Sequence, residues 1–308
     1  MTREVAIGQV RVSAVLDLAV EAPDAPALLP GAPLSLWQDN GEWMAPTFWD
    51  PARNTRPLSV HSWLLRDGEM TVLIDTGAGG GKQRPGSSLF HELQTDYLDN
   101  LRRAGVEPED VDVVVNTHLH VDHVGWNTRQ EQGRWSPTFP NAVYLLPARD
   151  VEFWDPDGPS EPRLREANRN VFDDSVRPVL DAGQALLWDG RHEIEWLRVE
   201  SAPGHTPGSS VVLVDGSSQS AVFVGDVLHS PLQVLSPACA SCYCEDPDGA
   251  AVSRRRVLGQ AADRGELVLP AHLPGARGMT VSRRGAGFAV DAWEQFLPDE
   301  ADGLDRVG

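Results

Sequence analysis

Thr117-His118-Leu119-His120-Val121-Asp122-His123-Val124-Gly125 decides the reading of this 308-residue chain. Three imidazoles and one carboxylate fall within six positions, directly after Val111-Asp112-Val113-Val114-Val115, an apolar run that predicts a buried strand. The chain has nine His, so a chance match to this pattern is on the order of one in a thousand from composition alone. On a nearly extended loop, alternation sends His118 and His120 the same way, and a following turn lets Asp122 and His123 face a second point close by. The stretch therefore offers donors to two cations. Imidazole with carboxylate suits Zn²⁺ and also Mn²⁺, Fe²⁺ or Co²⁺.

One segment cannot complete two coordination shells, so further donors must come from elsewhere. Three later segments supply them, each an apolar run or small-residue turn carrying one ligand-type side chain: Ser201 to Gly208 around His205, Ala221 to Asp226, and Leu267 to His272. Upstream, Thr71-Val72-Leu73-Ile74-Asp75-Thr76-Gly77 has the same form. These five segments resemble the five ordered motifs of the metallo-β-lactamase superfamily, over about Val60 to about Gly275. The resemblance implies an α/β fold, a four-layer αββα sandwich forming one domain over 1–308. It also implies one ion held by His118, His120 and His205 and a second by Asp122, His123 and His272, with Asp226 bridging and Asp75 orienting the ligand loop. Two divalent ions are expected, zinc first, with manganese, iron or cobalt as alternatives. From His123 to His205 is 82 positions, from His205 to Asp226 is 21 and from Asp226 to His272 is 46. The long first gap is similar to the methyl parathion hydrolase-like branch and exceeds that of the compact acyl-homoserine lactonases. Val60-His61-Ser62-Trp63, Val124 to Thr128 and Gly225 to His229 look like the same branch.

The chemistry implied is hydrolysis, in which a hydroxide shared by the two ions attacks a carbonyl or phosphoryl centre. Asp122 would receive or relay the proton. His229, three residues after Asp226, would stand at the mouth of the site, either as a structural group hydrogen-bonded to backbone or as a proton donor to the leaving group. A small, largely apolar lactone or ester is the expected substrate. A phosphotriesterase or thioesterase with the same site is the alternative, and a metal-dependent oxidoreductase of the same superfamily is a third class that the intact Asp122 disfavours.

Lys plus Arg number 26 against 45 Asp plus Glu, a formal charge of −19, which argues against nucleic acid as a partner because that binding draws on Lys and Arg. A 41% hydrophobic composition suffices for a sizeable core. No apolar run of about 18 residues and no signal-peptide pattern over Met1 to Val20 are present, so a cytoplasmic protein without a membrane segment is expected. Cys239, Cys242 and Cys244 are an odd set that reads as ordinary loop thiols. His61, His91 and His192 lack ligand-type neighbours and read as structural.

Strands are expected at Val5 to Ile7, Val10 to Val15, Leu58 to Leu65, Met70 to Asp75, Asn141 to Leu146, Ala185 to Trp188, Ile194 to Val199 and Ser210 to Val214. Helices are expected at Leu89 to Ala104, stopped by Gly105, and at Val252 to Arg264, stopped by Gly265, with Arg254, Arg255 and Arg256 as a solvated face. Two segments interrupt the layers: a Pro-rich aromatic arm at about 21–56 and an insertion at about 150–180 laid over the site. The arm rings Trp37, Trp43, Phe48 and Trp49 read most simply as a cap on the exposed edge of the core; the sharper reading makes Trp43, Trp49, Trp154 and Phe172, with Trp126 beside the nest, the candidate walls of a small-molecule pocket, or a homodimer contact.

Overall fold

The apolar runs pair into two sheets in the computed structural model, which describes residues 3–298. In chain order the first strands are β1 (Val5–Ile7), β2 (Val10–Pro23), β3 (Thr55–Arg66), β4 (Thr71–Ile74), β5 (Val113–Val115), β6 (Thr128–Glu131), β7 (Arg134–Pro137), β8 (Val143–Pro147) and β9 (Ala185–Trp188). Seven of them form one sheet in the order β1-β2-β3-β4-β5-β8-β9, and β6 with β7 leaves it as a separate hairpin. The second sheet has seven strands in sequence order: β10 (Arg191–Ile194), β11 (Leu197–Ser201), β12 (Ser210–Val214), β13 (Ala221–Gly225), β14 (Leu267–Pro270), β15 (Arg277–Arg284) and β16 (Gly287–Gln295).

Both faces of the central strands are covered, which is why they read as unbroken apolar runs. Val72, Ile74, Val113 and Val115 point between the sheets, where they meet Val212, Phe223 and Leu269. Leu73, Val114 and Tyr144 point the other way, to an outer layer with Tyr97, Leu101 and Val176. On the far side of the second sheet, Val224 and Met279 pack against Leu258 and the arm residues Trp37, Met44 and Trp49. Helices outside two face-packed sheets make the four αββα layers.

The outer helices are α1 (Leu34–Asp39) and α2 (Gly41–Met44) in the arm, α3 (Tyr97–Arg103), α4 (Ala148–Trp154) and α5 (Arg177–Asp181) on the first sheet, then α6 (Leu232–Leu235) and α7 (Pro247–Arg264) on the second. The limits of α7 follow from its ends. The Asp246 side chain accepts from Gly249 N, Pro247 fits a position whose N–H is spare, and Gly265 closes the helix at φ 64°.

The parallel pairings place the site. β4, β5 and β8 run parallel in one sheet, and β13 with β14 in the other. Loops leaving the carboxyl ends of such strands converge, and Asp75, His118, Asp226 and His272 all sit on them.

Several expectations are corrected. The helix over Leu89 to Ala104 is confined to α3, because the preceding backbone is already bonded: Gly81 N donates to Leu93 O and Glu92 N to Lys82 O, both at 2.8 Å, with Glu92 at φ 50°. The strand over Ile194 to Val199 is a hairpin, turning at Glu195 with φ 48°. Arg254 does not belong to a solvated face; it is buried and donates to the carbonyls of Val227, Pro237 and Cys239. The arm, whose proline content predicts a long ordered loop, carries regular structure instead: β2 runs to Pro23 and short helices follow. No helix among the described residues is long and apolar enough to cross a membrane.

Candidate metal centre

Asp75 stands where β4 ends and holds the ligand loop in place. Its Oδ1 accepts from Thr117 N at 2.8 Å, and its Oδ2 accepts from Thr117 Oγ1 at 2.8 Å and faces His123 Nδ1 at 2.9 Å. The backbone at Asp75 is left-handed, φ 58°, a strain of about 1–3 kcal/mol that these contacts offset. A second carboxylate, Asp150 in the first turn of α4, was not singled out from the sequence. Its Oδ2 accepts from Leu119 N at 3.0 Å and Thr206 Oγ1 at 2.8 Å, its Oδ1 from Gly208 N at 2.6 Å. It thus ties the His118 and His120 loop to the His205 loop. An acid in a first helical turn is also an ordinary dipole partner, so its spacing carried no separate signal. A third, Asp17, sits at a bulge in β2 and accepts from Ala78 N at 2.6 Å and Trp126 Nε1 at 3.0 Å, beneath the same loops.

The donor atoms form two groups. His118, His120, His205 and Asp226 make one; Asp122, His123 and His272 make the other; within each, the donor atoms lie within 4.8 Å of one another. His120 Nδ1 is 3.0 Å from His118 Nε2 and 2.9 Å from His205 Nε2. Asp226 divides its oxygens between the groups. Oδ2 is 3.2 Å from His205 Nε2 and 3.8 Å from His118 Nε2, while Oδ1 is 3.2 Å from His123 Nε2 and 3.0 Å from His272 Nε2. Buried Asp226 Oδ1 has no hydrogen-bond partner. Lone pairs crowded together out of water call for shared cations, so the residues fit divalent metal ions.

Without ions the electrostatics divide. Burial, then neighbouring imidazoles, holds His118 and His120 well below the usual histidine range, leaving them neutral donors. Burial pulls His123, His205 and His272 the same way, but the carboxylates, Asp226 first, outweigh it: His205 rises to about 9, and His123 and His272 also rise. The Asp226 carboxyl is held well below its ordinary range despite burial by His272, His123, His229 and His205. Metal uptake must therefore displace protons.

His229 Nε2 lies 3.0 Å from Asp226 Oδ2, and its Nδ1 is buried without a partner. Burial lowers it to about 4. Cys244 is buried with Sγ 3.7 Å from His205 Nδ1, so this thiol backs a donor histidine rather than lying idle in a loop. His61 packs edge-on against Trp63, pushed down to about 3 by burial, and His91 Nδ1 accepts from Arg84 N at 3.0 Å. His192 lies in β10.

Above the donors is a cavity of about 280 Å³, reached by His120, Asp122, Asp226, His229 and His272. Its apolar walls are Leu58, Leu89, Phe90, Val121 and Leu164. None of the five rings expected there lines it. Trp43 is on the outside of α2, and Trp49 is packed edge-on against Trp37 in the core. Trp126 stacks on Tyr97, and Trp154 buttresses the His120 ring from behind, centroids 5.3 Å apart. Phe172, with Trp154, borders a neighbouring hollow. Trp43 apart, the arm and the insertion turn their large rings into the core, where area burial is greatest.

The sequence profile of the metallo-beta-lactamase superfamily matches residues 55–272. An N-acyl homoserine lactonase from Bacillus sp. is 26% identical over 179 residues, 54% of this chain and 62% of the lactonase, so the chain spans less than two thirds of that relative's length. Among solved structures, AidC, a dizinc quorum-quenching lactonase bound to a homoserine product, superposes with a TM-score of 0.76 at 21% identity, covering 96% of this chain and 98% of AidC. A hydrolase of the beta lactamase superfamily, AbOPH, superposes with a TM-score of 0.77 at 25% identity, covering 96% of this chain and 97% of its own.

Proposed function

The chain belongs to the metallo-beta-lactamase superfamily, and from that premise we propose that it is a metal-dependent hydrolase that uses two divalent ions, zinc first among them, on a small lactone or ester. The observation that carries the reading is the division of the Asp226 oxygens between two donor groups. His118, His120 and His205 would hold one ion, Asp122, His123 and His272 the other, and Asp226 would join them. Ions bound there acidify water and polarise an acyl oxygen. The lactonase among the relatives and the dizinc lactonase among the structures support the carbonyl substrate.

The protein's own groups complete the task. Asp122 keeps 17% of its side chain exposed and borders the cavity, so it can take and pass on the proton that water loses. His229, neutral near pH 7, donates a hydrogen bond to the negative charge that develops on the departing oxygen. Leu58, Leu89, Phe90 and Leu164 keep bulk water from the reacting carbonyl.

Metal analysis after gentle purification is expected to approach two ions per chain; a value near one that added Zn²⁺, Mn²⁺ or Co²⁺ does not raise sinks the two-ion reading. On metal-replete enzyme, kcat/KM for lactones and aryl esters should exceed that for thioesters, a phosphotriester and a phosphodiester by at least about tenfold, about 1.4 kcal/mol in barrier. A phosphorus ester at the top of that order overturns the substrate class.

A further inference from the structure

Arg56, the second residue of β3, is 9% exposed and turns its side chain into the wall of the cavity that Asp122, His229 and His272 reach. The other buried arginines are supplied with partners. Arg84 grips Asp174 with two nitrogens at 2.6 and 2.8 Å, Arg254 donates to three carbonyls, and Arg277 donates to Pro274 O and Gln295 Oε1. Arg56 has no carboxylate within ion-pair distance among the described residues. Its neighbours are the Tyr243 hydroxyl, with which it hydrogen-bonds, and Cys242, then Asp122. Burial raises both the Tyr243 phenol and the Cys242 thiol, so neither carries charge near pH 7, and Asp122 belongs to the donor group. A guanidinium does not shed its charge at working pH. A cation withdrawn from water without a counter-ion is a standing cost unless an anion arrives to meet it. The planar fork matches a carboxylate, and the cavity of about 280 Å³ restricts the rest of the ligand to a short chain between Leu58, Leu89 and Phe90.

We propose that Arg56 binds a carboxylate carried by the substrate itself, so that the enzyme selects short monoanionic esters or lactones over neutral ones that lack only that carboxylate. The proposal rests on the hydrolase reading above for its reaction but not for its binding step. It narrows the expected apolar substrate to one apolar along its chain and charged at its far end.

The test is a ratio. An aryl hemi-ester of glutarate is compared with the aryl ester of butyrate on metal-replete wild type, Arg56→Gln and Arg56→Lys. Wild type is expected to favour the anionic ester at least tenfold in kcat/KM, mostly through KM. That preference should fall at least tenfold in Arg56→Gln and recover in part in Arg56→Lys, which keeps charge but loses the fork. A ratio unchanged within twofold in Arg56→Gln, or a wild type that prefers butyrate, overturns the proposal. Because a ratio is internal to each variant, general damage to the fold cancels. Calorimetric binding of glutarate against butyrate to the same proteins is independent of turnover: the advantage of the second carboxylate should vanish in Arg56→Gln. If neither ester is hydrolysed while that advantage depends on Arg56, the hydrolase reading fails and the anion site stands. If butyrate ester is hydrolysed and glutarate has no Arg56-dependent advantage, the anion site fails alone.

Discussion

On the floor of the cavity, Asp226 and His272 follow within two residues of a strand's last residue, as does Asp75, which supports the ligand loop from outside the cavity; the roof residues Ser87, Leu89, Phe90, Leu164, Ala167, Asn168 and Tyr243 belong to segments outside any strand. The floor is tied to the sheets by backbone bonds and by Asp75 and Asp150. The roof is tied loop to loop: Arg84 and Lys82 grip Asp174, Gly86 lies so close to Glu166 O that a Cβ there would come within 1.9 Å, and Asn168 Nδ2 donates to Leu119 O of the ligand loop at 2.9 Å. A floor held by strands places reacting atoms reproducibly, and a roof of packed loops can differ from relative to relative without disturbing them. Damage to the floor should therefore reduce turnover of every substrate alike, and damage to the roof should reorder substrates.

The largest effect is expected from the floor. His120→Ala and Asp226→Ala should each lower kcat/KM by a thousandfold or more, about 4 kcal/mol, equally for lactones and esters, with the fold retained by circular dichroism. Either variant keeping more than a tenth of wild-type activity removes that residue from the donor set. Asp150→Asn comes next, because an amide presents an N–H where Leu119, Thr206 and Gly208 need acceptors. Metal affinity, read by competition with a chelator, should weaken by about 10- to 100-fold. Burial raises the Asp150 carboxyl to about 6, the bonds from Leu119, Thr206 and Gly208 notwithstanding. Its folded value lies above its unfolded value, so its contribution to stability is full below about pH 4 and is lost as pH rises through about 6. The total is about 3 kcal/mol. Metal-stripped wild type should lose about that much against metal-stripped Asp150→Asn between pH 4 and 7, read from denaturant midpoints; parallel curves would refute the assignment.

The same division explains how much of the fold and the site is legible in the sequence. The ligand segments were legible because each joins an apolar strand to a donor side chain within a few residues, a pattern that sequence preserves intact. The central strands were legible for the same reason, being covered on both faces. Arg56, Tyr243 and Phe90 were not, since they meet only through tertiary packing and none carries a spacing that separates a pocket wall from a core residue. In the arm the simpler reading of the rings holds and the pocket-wall reading fails: Trp37 and Trp49, with Met44, fill the second sheet's outer layer, because a large ring gains more from burial there than at a wet cavity mouth. β15 and β16, which extend the second sheet beyond the last ligand segment, alternate too weakly to have been marked.

The smallest effect is the one that separates the two accounts of the roof. Phe90 is 9% exposed and lines the cavity, while Trp43 is 40% exposed on α2 with its Nε1 bonded to Asn40 Oδ1 at 2.9 Å, away from the cavity. Truncating Phe90 to Ala removes a wall that an acyl chain would touch, so the ratio of kcat/KM for a hexanoyl over an acetyl aryl ester should fall by about tenfold, about 1.4 kcal/mol of lost apolar contact. Trp43→Ala removes more side-chain volume, yet it should leave that ratio and kcat/KM itself within about twofold, as expected for a surface ring remote from the chemistry. Ring size alone would order the two variants the other way. A Trp43→Ala shift in acyl-chain preference as large as that of Phe90→Ala would return the arm to the pocket wall and break the distinction between roof and surface.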